Sequence, residues 1–162
     1  MSAFYLSPHL QPGINMAINT SKVVVAGLAA GVVANILGFV GFGMLLAGRM
    51  ESEYVAVAPA LEGRGMGGGA MAATIISQFV VGILLVWLYA AIRPRFGPGM
   101  KTAVYAALVV WLCGFLFHMD FLLLGMMSTT TYMMAATVAF VQLLASAAVG
   151  GMLYKEEDAA TR

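Results

Sequence analysis

Charge is scarce in this sequence. Only 9% of its 162 residues are Asp, Glu, Lys or Arg, while 62% are hydrophobic. Soluble domains carry about a quarter charged residues, so this balance excludes a water-soluble fold. The net charge of +1 supplies no basic field and no nucleic-acid motif is present, which excludes nucleic acid as a partner. Cysteine is nearly absent. Cys113 alone closes no intramolecular disulfide and, inside an apolar run, says nothing of the redox compartment. Alternating apolar and polar residues are also missing, which excludes barrel strands. The first 22 residues lack an apolar segment of their own and read as an N-terminal extension, not a signal peptide. Met16 is a second candidate initiator.

Long apolar runs are what the chain has. Four of them, 23–46, 70–92, 102–124 and 132–154, are each long enough to cross a hydrocarbon layer of about 30 Å as a helix. The expectation is therefore an all-α, integral-membrane four-helix bundle of two antiparallel hairpins, followed by a tail over 155–162. Lys22, Arg93, Arg95, Lys101, Lys155 and Arg162 fall on one side of these spans, and only Arg49 and Arg64 on the other. The bias of basic residues towards the cytoplasm then puts both termini inside and the protein in the cell's inner membrane. Trp87, Tyr89 and Tyr154 fit interfacial anchors on that side. Pro94 is expected to stop the second helix and Pro98-Gly99 to turn into the third. Residues 47–69 are the one long loop, and the glycine run at 63–69 reads as a flexible hinge; it lacks the Gly-Lys-Ser/Thr ending of a phosphate cradle. Thr130 or Thr131 is the expected cap of the fourth helix.

The stretch from Val86 through Trp87, Tyr89, Arg93-Pro94-Arg95-Phe96-Gly97-Pro98-Gly99 to Ala103 resembles a group of uncharacterised bacterial membrane proteins. Asn19-Thr20-Ser21-Lys22 and Leu153-Tyr154-Lys155-Glu156 extend the likeness over residues 16–157. The resemblance implies the same topology, a bacterial inner membrane and Met16 as the start, and it brings no catalytic residues.

Small residues recur at helical spacing. Gly27 and Gly31, then Ala34 and Gly38, mark the first helix, and Ser146 with Gly150 the fourth. Such faces let helices approach closely, either within the bundle or against another subunit or a second copy. A polar layer is the next feature. At 1.5 Å per residue Asn35, Gln78 and Gln142 all lie about 18–21 Å from the basic end of their helices. Amides at that depth must bond one another or line a small wet cavity.

His118 and Asp120 are the strongly polar pair of the third span. Two residues apart, they serve different faces, and Asp120 is expected near Arg49 or Arg64 as an interfacial ion pair. His118, above Gly114, is a candidate axial ligand for haem or chlorin, and with Met126 and Met127 for copper, although it is read as a hydrogen-bonded interfacial histidine and no cofactor is expected. No nucleophile stands beside a base, so the chain reads as non-enzymatic. An accessory subunit in a larger membrane assembly is the first expectation. A small oligomeric transporter or channel using the Asn/Gln layer is the second.

Overall fold

A computed structural model describes residues 18–64 and 67–155. The expectations on the N-terminal extension through residue 17, on Gly65 and Met66 and on the tail beyond Lys155 lie outside the described residues. Within them the chain is helical, and no strand occurs. α1 (Thr20–Gly38) begins where the Asn19 side chain accepts a hydrogen bond from the Lys22 N–H, which satisfies one of the donors left open at a helix start. It runs on into a π-helical segment, Phe39–Leu45, and then α2 (Ala47–Val57), a 3₁₀ turn (Pro59–Leu61), α3 (Gly68–Phe96), α4 (Met100–Phe117), α5 (Met119–Leu123) and α6 (Thr129–Leu153).

Four helical stretches are long and apolar enough to cross a membrane: Thr20–Leu45, Gly68–Phe96, Met100–Leu123 and Thr129–Leu153. These contain nearly all of the four runs read from the sequence. α1 packs between α3 and α6, and α4 closes against α6 and α3. The seam between α1 and α3 is backbone on backbone: a Cβ added to Gly82 would lie 2.5 Å from both the Gly27 O and the Gly31 N. A neighbouring face of α1, one residue round the helix, meets α6, where a Cβ on Gly150 would lie 3.3 Å from the Ala30 Cβ and 3.6 Å from the Ala26 O. Between such small residues sit Leu85, Val86, Tyr89, Ala106, Ala147 and Tyr154, all buried. Where lipid is as apolar as the side chains, this close fit is what favours helix against helix.

Several boundaries differ from the sequence reading. Pro94 does not stop the second helix; α3 continues to Phe96 and ends at Gly97, whose φ of +82° a side-chain-bearing residue adopts rarely. A proline this close to the end disturbs little helix, and Arg93 and Arg95 favour the negative end of the helix dipole. Tyr89 and Tyr154 are buried against neighbouring helices, while Trp87 is exposed. The Tyr89 hydroxyl accepts from the Gly99 N–H at 3.0 Å, and the two tyrosine rings pack edge to face 6.2 Å apart. Residues 47–69 are not simply loop: α2 occupies their first half, and Gly68 and Gly69 open α3. The third span breaks at His118, between α4 and α5. Ser128, not a threonine, caps α6, its hydroxyl accepting from the Thr131 N–H at 3.2 Å.

Candidate functional site

α1 and α3 touch along Gly27, Gly31 and Gly82 and part beyond them towards the α2 end. The gap is a cleft of about 1000 Å³ bounded by α1, the π-helical segment, α2 and α3. Its walls are mostly apolar, from Ile36, Phe39, Phe42, Met71, Ile75 and Phe79. The π-helical segment shapes one wall. Its wider turn, closed by Leu46 N–H to Gly41 O at 3.0 Å, lets Gly41 face Val138 of α6 while Phe39, Val40, Phe42 and Gly43 line the cleft. Single π turns of this kind recur at functional sites.

Asn35 and Gln78 are the polar groups at the deep end, near Gly38, and Glu51, Arg64 and Tyr54 belong to the lining towards α2. The three-amide layer is thereby resolved into two roles. Gln142 is buried and donates through Nε2 to the Ala34 O at 2.9 Å, tying α6 to α1. Asn35 donates through Nδ2 to the Gly31 O at 2.9 Å and across to the Ile75 O of α3 at 3.3 Å. Gln78, half-buried, lines the cleft. Gln142 and Asn35 thus bond backbone carbonyls rather than one another. Gly38 makes this possible: a Cβ there would lie 3.1 Å from the Gln142 Nε2 and 3.4 Å from the Gln78 Nε2.

The small-residue faces lie inside the fold. Gly27 and Gly31 meet α3, Gly38 meets the amides, Gly150 meets Val86 and α1, and Ala34 and Ser146 are buried. Ser146 Oγ has no hydrogen-bond partner among the described residues.

The α2 end carries a second polar cluster, which sequence reasoning missed. Glu53 of α2 reaches the start of α6: its Oε2 accepts from the Ser128 N–H at 2.7 Å, and its Oε1 accepts from the hydroxyls of Ser128 at 2.7 Å and Thr131 at 2.5 Å. Arg49, one turn earlier on α2, donates through Nε to the Thr131 hydroxyl at 2.7 Å and stands 3.9 Å from the Glu53 carboxylate. In a capping box, a Glu three residues after the cap closes back onto the cap's own N–H. Here Glu53 does so from 75 residues away. The Thr131 and Ser128 hydrogen bonds, with the Arg49 charge, hold the Glu53 carboxyl below its ordinary range, against a smaller upward push from burial. The signal in the sequence was an Arg and a Glu four apart at 49 and 53; nothing local tied them to the capping Ser128.

His118 and Asp120 are not brought into this cluster. His118 is exposed, its Nδ1 2.8 Å from the Gly114 O and its ring stacked on Phe121. Asp120 accepts from the Phe121 N–H at 3.0 Å; of its two expected ion partners, Arg49 pairs with Glu53 and Arg64 belongs to the cleft lining. Met127 is buried and Met126 half-buried. Among the described residues no group of three or more His, Cys, Asp and Glu side chains is placed to hold a metal ion. A Cβ on Gly114 would meet nothing within 4 Å. No family model, curated protein or solved structure matches the chain.

Proposed function

We propose that this is a small integral membrane protein, a four-helix bundle, that binds a neutral amphiphile in the cleft between α1 and α3. One observation carries the reading: a largely apolar cleft whose deep end holds the uncharged carboxamides of Asn35 and Gln78. Apolar walls take a hydrocarbon chain. The Asn35 amide hydrogens are both used on the Gly31 and Ile75 carbonyls, which leaves its Oδ1 as an acceptor, while the Gln78 carboxamide offers both a donor and an acceptor; together they suit a hydroxyl group. An ionic group at that depth would have no partner of opposite charge and would be strongly disfavoured.

The basic residues at the opposite end, Lys22, Arg93, Arg95 and Lys101, support an orientation with that end in the cytoplasm and the cleft in the outer leaflet. The glycine seam at Gly27, Gly31 and Gly82 leaves no gap between α1 and α3 beyond the cleft, which favours a binding site over an open pore. Partner docking through small-residue stripes has less support, because those stripes are used between the chain's own helices.

The test is equilibrium binding to the purified protein in detergent of a fluorescent monoacylglycerol, compared with a lysophosphatidylglycerol of the same chain length. Saturable binding of the neutral lipid, weakened about tenfold or more by Gln78→Leu, supports the reading. Equal binding of both lipids, or binding indifferent to Gln78, contradicts it.

A further inference from the structure

α2 has two working faces and no buried residue of its own. Ala47, Met50, Glu51, Tyr54 and Val55 line the cleft, a spacing of three and four that puts them on one side of a helix. Arg49 and Glu53, four apart on another side, hold Ser128 and Thr131 of α6. The helix is set between two bends: Leu46 at the end of the π-helical segment, with φ of −107°, and Ala58 before Pro59, with φ of −134°. An 11-residue helix with nothing buried is held by little apolar contact. Its attachment therefore falls on the polar clasp, helped by Tyr54, whose ring lies 6.3 Å from that of Phe121.

We propose that α2 is a hinged lid on the cleft and that the clasp of Glu53 and Arg49 to Ser128 and Thr131 is its catch. Closed, the lid completes the cleft wall. Released, it swings on Leu46 and Ala58 and opens the cleft at the α2 end. The bonds at the catch are charge-assisted and of good length, which makes the closed state the dominant one. The catch sits at the start of α6, where the helix dipole favours the Glu53 carboxylate, so the same contact both caps a spanning helix and fixes the lid. The lid's control of ligand entry rests on the binding role assigned above to the cleft; its movement does not.

Two measurements separate these claims. Spin labels at Ala56→Cys and Thr129→Cys, both exposed positions, in a Cys113→Ser background report the distance from lid to α6 without any ligand. The native clasp gives one narrow distance, and Glu53→Ala or Arg49→Ala adds a longer, broad population. A distribution unchanged by both variants overturns the lid. Dissociation of the fluorescent monoacylglycerol is the second readout, expected to be about tenfold faster in Glu53→Ala and in Arg49→Ala at a temperature well below the melting of either variant. If the distance responds but the native protein binds no monoacylglycerol, the lid stands and the cleft's ligand is wrong. If the lipid binds and leaves Glu53→Ala at the native rate, the catch does not govern entry and the proposal fails.

Discussion

Gly82 and Gly31 meet backbone to backbone: a Cβ on Gly82 would stand 2.5 Å from the Gly31 N and 2.9 Å from its Cα. Neither atom can move aside as a side-chain tip does, because both belong to the rigid wall of α1. α1 and α3 are held together here, and the cleft begins where this seam ends.

Gly82→Ala is therefore expected to destabilise the protein by about 2 kcal/mol or more, through overpacking. Gly114→Ala, on the open face of α4, should be neutral or stabilise by up to about 1 kcal/mol, because alanine favours helix and meets nothing within 4 Å. Thermal unfolding in one detergent compares the two. Equal loss of stability would show that glycine matters at these sites for some reason other than the space around it.

Acid should release the clasp. The Glu53 pKa is lowered in the fold, so its contribution is complete above the unfolded value of about 4.3 and is lost as pH falls through the depressed folded value. The distance between α2 and α6 should stay constant from neutral pH through 5 and lengthen only below the ordinary carboxylate range. Glu53→Gln should remove that acid transition. An unchanged transition in the variant would assign it to another carboxylate.

The polar layer predicts a split between two glutamines. Gln142→Leu removes the tie from α6 to the Ala34 carbonyl and should cost about 1 kcal/mol of stability. Gln78→Leu should leave stability nearly unchanged and weaken ligand binding. Paired melting and binding curves would contradict the assignment if the two effects were exchanged.

Orientation is tested with single cysteines in the Cys113→Ser background. A membrane-impermeant maleimide applied to intact cells should label Glu62→Cys, at the α2 end, and leave Lys101→Cys untouched until the membrane is opened. The reverse pattern would place the cleft in the inner leaflet.

The spans were legible because hydropathy is a local property: any window within 23–46 or 132–154 is apolar whatever surrounds it. That Asn35 and Gln142 fall at a similar level along their helices was legible from the fixed rise per residue, and Gln142 does reach the carbonyl next to Asn35 in sequence. Their partners were not, because the Ile75 and Ala34 carbonyls come near only once the helices have packed. α2 was hidden inside a stretch read as loop, although Met50 and Tyr54 already repeat at helical spacing there. Glu53 was passed over because acidic residues count for little in topology, and its partner Ser128 is distant in sequence. The π-helical segment had no signal beyond Gly41 and Gly43.

The central claim is occupancy of the cleft, and photocrosslinking tests it most directly. A monoacylglycerol with a diazirine in its acyl chain, irradiated with the purified protein and mapped by peptide mass spectrometry, should mark residues 36–43 and 71–79. Marks spread evenly over the exposed face of α4, at Leu108, Leu112 and Leu116, as heavily as over the cleft would contradict the account.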